Sequence, residues 1–352
     1  MIGTATRAAL LLDPDRNLAL ELVRATEAAA ISAARYVGRG DKIQVDQAAV
    51  DAMRPVLGSV GMRGVVVIGE GEKDEAPMLF NGEQVGNGSD PDVDIAVDPV
   101  DGTTAAAKGL PDAVAVVGLS ERGTMFDPGP CVYMHKLVVP SAAADLVDPD
   151  APIADILAAV AGALGKEQRE LTVAMLDRPR HSDIVAQVLA AGAAVKFLLD
   201  GDVAGAIAVG QPGSGVDVLL GIGGTPEAVI AACALRCSGG AMFGRLYPRN
   251  EDERTAALEF GHDLDRILTT TDLVWGDNVF FAATGVTDGA LLRGVRFEPQ
   301  RVISQSLSMR SRSGAVRVIE TRHDRSRSNL ISPSEQAPPR HGSTSDGRDQ
   351  ST

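Results

Sequence analysis

Asp94-Ile-Ala-Val-Asp98-Pro-Val-Asp101-Gly102-Thr103 is the stretch on which the reading of the fold turns. Val93–Val97 is a short apolar run bounded by turn residues, the signature of a strand. Asp98 stands at its end. Pro99 fixes φ and is expected to bend the chain out of the strand. Asp98 and Asp101 would then face one pocket from the two sides of a turn. Gly102 permits a positive φ or a tight approach. Thr103 stands where a small hydroxyl can cap a helix or touch a ligand. Alone, the hexamer could equally be an Asx-type turn leading into a helix.

It does not stand alone. Glu70 directly follows another apolar run, Val65–Ile68. The window 69–101 carries ten carboxylates against one basic residue, Lys73, and so nine of the chain's fourteen net negative charges. A solvated loop accounts for Glu83, Asp90 and Asp92. It accounts less well for Glu70, Asp98 and Asp101, which sit at strand ends, where carboxylates are semi-buried and repel one another. Each then needs a raised pKa or a bound cation. An all-oxygen set without His or Cys suits a hard divalent ion, Mg²⁺ or Mn²⁺.

The 352 residues suggest two or three domains. With 33 Lys+Arg against 47 Asp+Glu, the chain lacks the basic surface that non-specific nucleic-acid binding or docking on anionic membranes requires. No apolar run approaches the ~18–20 residues of a membrane span, and Ala8–Leu12 is too short for a signal-peptide core. Cys131, Cys233 and Cys237 make no disulfide framework or zinc motif. The expectation is a reduced, cytoplasmic, soluble protein with no nucleic-acid or membrane partner.

Periodicity predicts helices over 17–37 and Val45–Leu57, then strands at Val65–Ile68, Val93–Val97, Ala113–Leu119 and Val132–Val139. From about residue 150 strands and helices alternate. Helices are expected at Ile153–Leu164, His181–Ala191, Val203–Val209 and Pro226–Arg236, and strands at Leu171–Leu176, Ala194–Leu199 and Val216–Leu220. That pattern implies a parallel or mixed sheet with helices on its faces, with ligands at the carboxyl ends of its strands. Those ends carry Arg178–Arg180, Asp200–Asp202 and Gly221–Glu227. A helix over Glu253–Leu268 and strands near Val279–Ala283 and Val302–Glu320 complete the reading. The fold class is α/β: an α+β part over 1–145, an α/β part over 146–325, and a polar tail over 326–352 that composition marks as disordered. Two arginines flanking Pro179 suit a phosphate. Gly221–Gly224 does not form the G-x-G-x-x-G of a nicotinamide-binding turn.

These residues resemble the metal-dependent, lithium-sensitive sugar and inositol phosphatase superfamily, and within it class II fructose-1,6-bisphosphatase. The resemblance is carried by Gly38-Arg-Gly-Asp-Lys42, Ile68-Gly-Glu-Gly-Glu72, Asp74-Glu-Ala-Pro-Met78, Asp94–Thr103, Tyr133-Met134, Arg178-Pro-Arg-His181, Asp200-Gly-Asp202 and Gly221-Ile-Gly-Gly-Thr-Pro-Glu227. It runs from about residue 17 to 320. It implies a layered α-β-α-β-α sandwich, a homo-oligomer (dimer or tetramer), and hydrolysis of the 1-phosphate of fructose 1,6-bisphosphate, a gluconeogenic step. Asp46 and Glu70 resemble ligands of one metal; Asp98, Asp101 and Glu227 resemble ligands of a second. Asp74 resembles the carboxylate that activates water, and Thr103 the hydroxyl that contacts the transferred phosphoryl group. Asp101, Gly102, Thr103, Tyr133, Arg178, Pro179, Arg180, Asp200, Gly201, Asp202 and Gly224 match substrate-binding positions. The chain departs from the pattern at Asp101, where some members have Glu, and at Arg178, where many have Lys. The alternatives are a sedoheptulose-1,7-bisphosphatase or dual-specificity enzyme, an inositol monophosphatase, and a non-catalytic sugar-phosphate-binding protein.

Overall fold

A computed structural model describes residues 17–71, 78–209, 211 and 213–327. In chain order its elements are α1 (Ala19–Ala33), α2 (Lys42–Ser59), β1 (Arg63–Ile68), β2 (Gln84–Val85), β3 (Asp92–Asp101), α3 (Thr103–Ala107), β4 (Val114–Glu121) and β5 (Tyr133–Val139). Next come α4 (Ile153–Leu164), β6 (Thr172–Leu176), α5 (Ser182–Ala190), β7 (Ala194–Leu198), α6 (Val203–Val209), β8 (Val218–Gly224) and α7 (Thr225–Ser238). The last are β9 (Ala241–Leu246), α8 (Glu251–Phe260), β10 (Leu268–Thr269), α9 (Thr270–Leu273), β11 (Phe280–Gly285), β12 (Arg296–Phe297), β13 (Arg301–Arg310) and β14 (Ala315–Asp324).

Two mixed sheets form. The first runs β12-β13-β11-β4-β3-β1-β2, with β14 on the far edge of β13; the second runs β10-β9-β5-β8-β6-β7. Only β1 with β3 in the first, and β6 with β7 and β8 in the second, pair in parallel. Helices α1 and α2 cover the outer face of the first sheet, α6 and α7 lie between the sheets, and α4 and α5 cover the second sheet's outer face. The result is the α-β-α-β-α layering that the resemblance implied. Strand β4 shows why: Val114 and Val116 face the central core, while Ala115, Val117 and Leu119 face α1 and α2. Both faces are apolar, so both must be covered.

Helix α7 is apolar all round because both its sides are covered. Residues 228–235 are each at most 1% exposed. It packs tightly on the first sheet at Gly118. A Cβ there would lie 2.6 Å from Cys233 Sγ, so no other residue fits without moving the helix.

Several expectations change. Pro99 does not end β3: the strand continues to Asp101, with a bulge that inserts one extra residue between the Asp98–Val116 and Asp101–Val114 pairs. The helix expected over Glu253–Leu268 stops at Phe260, where Gly261 turns left-handed (φ 99°). Val302–Glu320 is not one strand but the hairpin β13–β14, turning at 311–314. Thr103 is not the N-cap of α3; that is Gly102, at φ 89°. Strand β9 was not anticipated, because Gly244 and Arg245 break its apolar run. Strand β5 joins the second sheet and β11 to β14 return to the first, so the sheets exchange strands across residue 145. Order reaches Asp324 in β14, and 328–352 lie outside the described residues.

Gly118→Ala is expected to destabilise the fold by about 1–3 kcal/mol through overpacking against α7. Thermal unfolding should show a midpoint several degrees lower; an unchanged midpoint would show that α7 can yield.

Candidate active site

Because β1 and β3 are parallel neighbours, their carboxyl ends lie side by side, which puts Glu70 beside Asp98 and Asp101. Helix α7 brings Glu227 in its first turn, and α2 presents Asp46. All five carboxylates line one cavity of about 370 Å³, together with Gly102, Thr103, Asp200 and Gly201. Asp98 Oδ1 accepts a hydrogen bond from Val100 N–H (2.9 Å), and Asp101 Oδ2 accepts one from Val203 N–H (3.1 Å). The bulge therefore holds a true Asx turn and still leaves both side chains facing the cavity. Thr103 Oγ1 donates to the Val100 carbonyl (2.9 Å) and lies within hydrogen-bonding reach of the Asp46 carboxylate.

The charges act on one another. Burial, then the charges of Asp46 and Glu227, push Glu70 up to about 8. Burial and the neighbouring carboxylates Asp101, Glu70, Glu227 and Asp46 raise Asp98 well above the carboxylate range. Asp101 is raised by burial and then by Asp202, Asp46 by burial, and Glu227 by burial, against the pull of Lys136. Glu227 Oε2 is buried with no hydrogen-bond partner among the described residues. An acidic, all-oxygen set with an orphaned buried oxygen fits a hard divalent cation. Among the described residues no three such side chains stand in ligand geometry about a single point. Asp74 lies outside the described residues.

A second cavity of about 300 Å³ adjoins the first. It is lined by Tyr133, Arg178, Arg180, Asp202 and Gly224, and shares Asp200, Gly201, Pro226 and Glu227 with the acidic cavity. Arg178 bonds the Leu199 carbonyl (2.7 Å) and meets Asp200 at 3.3 Å. Arg180 donates to the Ile222 carbonyl (2.8 Å) and lies over the Tyr133 ring, 5.4 Å from its centroid. Pro179 opens the 3₁₀ turn that sets the two arginines apart. Arg249 covers Tyr133 from α8's side at 5.2 Å. Asp202 is held by Lys136, whose Nζ is 2.8 Å from both carboxylate oxygens.

Sequence reading missed Lys136 and Arg249. Lys136 had a signal: it falls at an inward position of β5, between Met134 and Val138, where an apolar residue is expected. Arg249 had none, since it reaches Tyr133 only through the fold. His181 was noted only as part of a motif. It is 1% exposed, its Nδ1 bonds the Leu176 carbonyl (2.7 Å), and its Nε2 accepts from Ile222 N–H (2.8 Å). It thus ties β6 to β8 as a neutral ring protonated on Nδ1.

A cavity built for cations that opens onto one built for an anion, at the carboxyl ends of strands in a five-layered sandwich, defines a metal-dependent sugar phosphatase. Residues 16–323 match the family described as bacterial fructose-1,6-bisphosphatase, glpX-encoded, and the chain belongs to that family. It is 42% identical over 334 residues to the D-fructose 1,6-bisphosphatase class 2/sedoheptulose 1,7-bisphosphatase of Synechococcus sp. (strain JA-3-3Ab), covering 88% of this chain and 96% of that protein. The protein of the same description from strain JA-2-3B'a(2-13) matches at the same identity and coverage. It is also 42% identical over 321 residues to fructose-1,6-bisphosphatase 1 class 2 of Escherichia coli (strain K12), covering 88% of this chain and 95% of that one.

Burial, then the nearby charges of Arg180 and Arg178, outweigh the upward pull of the backbone contacts to Leu176 and Ile222 and leave His181 with a pKa below its ordinary 6.5. A depressed pKa means that its contribution to stability is complete above pH 6.5 and is lost as pH falls through the folded value. Wild-type protein should therefore lose more thermal stability between pH 7 and pH 5 than His181→Gln. Parallel profiles would show that His181 titrates alike in the folded and unfolded chain, with no depressed pKa.

Proposed function

We propose that the chain removes the 1-phosphate of fructose 1,6-bisphosphate, giving fructose 6-phosphate and inorganic phosphate. The observation that carries this is the pair of joined cavities: a bisphosphate can place one phosphate among the carboxylates and the other beside Arg178 and Arg180. A monophosphatase would have no use for the second. Asp46 and Glu70 would hold one cation, and Asp98, Asp101 and Glu227 a second, as Mg²⁺ or Mn²⁺. Such cations, when bound, neutralise charge on the transferred phosphoryl group and acidify water.

The chain's own residues do the rest. Thr103, at the start of α3, offers its hydroxyl to the phosphoryl group. Asp74 takes a proton from the attacking water. Arg178, Arg180 and Tyr133 hold the phosphate that is not cleaved, and Asp200, Gly201 and Gly224 line the passage between the two ends. No covalent phospho-enzyme is required. The protein would act in gluconeogenesis in the cytoplasm, as a homo-oligomer; its three buried, unpaired cysteines fit a reducing compartment. A second reading, activity on sedoheptulose 1,7-bisphosphate as well, is favoured by the dual description of the Synechococcus proteins.

Chelation should abolish phosphate release, and Mg²⁺ or Mn²⁺ should restore it; full turnover in chelator would sink the cation assignment. Arg180→Ala removes a charge-assisted phosphate contact of roughly 1.5–3 kcal/mol, about 10–150-fold. It should cut kcat/KM for fructose 1,6-bisphosphate by that factor and leave a sugar monophosphate much less affected. Equal losses on both substrates would remove Arg180 from the second phosphate site.

A further inference from the structure

The carboxylates around the two cavities fall into two sets. Asp200 is paired with Arg178, and Asp202 with Lys136. Among the described residues, Asp46, Glu70, Asp98, Asp101 and Glu227 form no ion pair with Lys or Arg. The second set is the one proposed above to hold cations, and the first shows how the chain keeps other acids from joining it.

We propose that Lys136 is a positioning residue of the cation site: by neutralising Asp202 beside Asp101, it confines the site's working charge to the five unpaired carboxylates. Both oxygens of Asp202 are engaged by one ammonium at 2.8 Å, so its charge is neutralised where it stands. The pair is buried, with side chains 1% and 7% exposed. Backbone packs directly on it: a Cβ at Gly223 would lie 2.1 Å from Asp202 Oδ2 and 3.0 Å from Lys136 Nζ. The residue after Asp202 donates its N–H to Asp101, so the pair's charges stand next to a proposed ligand. The ammonium also reaches past Asp202, favouring the charged forms of Glu227 and Asp101. A lone lysine or a lone aspartate in this core would be an uncompensated buried charge.

The inference rests on the proposed cation binding, and the test separates the two. Metal-free full-length protein is titrated with Mn²⁺, and binding is read by calorimetry and by the rise in thermal midpoint, without turnover. Asp202→Asn leaves an unopposed ammonium beside the cluster and should weaken Mn²⁺ binding about ten-fold or more. Lys136→Met leaves an extra carboxylate and should tighten it by a comparable factor. Lys136→Met with Asp202→Asn removes both charges and should return affinity to within about three-fold of wild type, since the two effects are coupled through one contact. A merely structural pair would give singles that shift the same way and a double that does not recover; that result overturns the proposal. If one single variant fails to fold, the other single against the double decides by the same sign. Wild-type protein that ignores Mn²⁺ would overturn the cation reading itself and the inference with it.

Discussion

Carboxylates of like charge cannot share a partly buried pocket unless something neutralises them, and that constraint organises the catalytic edge of this chain. The parallel pairing of β1 with β3 forces Glu70 next to Asp98 and Asp101. Helix α7 adds Glu227, and α2 adds Asp46. Burial raises all five, and the charges of neighbouring carboxylates add to it at Glu70, Asp98, Asp101 and Glu227. On the proposed function, a bound cation would neutralise those charges together, and the relief would appear as affinity for the metal. The acids that would compete are removed from the balance by Arg178 and Lys136.

The two halves of the site come from different sheets. The first sheet supplies the acidic cavity, and the second supplies the arginines through the loops after β6 and the tyrosine at the start of β5. Helix α7 joins them, since it packs on both sheets and its first turn lines both cavities. An acidic residue in that turn also complements the positive end of the helix dipole, so Glu227 suits the helix end electrostatically before any ligand arrives.

Much of this was legible in the chain. Strand positions were readable because both sheets contain dense apolar runs with turn residues between them, and the carboxylates at their ends stood out against that background. The exceptions have local causes. Pro99 reads as a strand breaker, yet a bulge absorbs it inside β3. The helix that stops at Gly261 was overextended because Leu264 and Leu268 happen to continue its spacing. Lys136 and Asp202 lie sixty-six residues apart, and no periodic signal links two residues whose contact exists only after β5 pairs with β8. The roles of Asp46 and Tyr133 came from likeness to a family rather than from their own neighbourhoods, where each reads as an ordinary helix or strand residue.

The composition of α7 has a consequence for the geometry of recognition. Its buried length is built of small and aliphatic residues, four of them Ala, with Cys233 set against Gly118. That helix, together with α6, lies between the two sheets, and residues carried by both sheets line the joined cavities. On the proposed function, the reach from cleaved to retained phosphate then depends on the bulk of the small side chains packed between the sheets. Enlarging one of them would act as a change of gauge, altering which length of sugar chain the enzyme can grip while every contacting residue stayed the same.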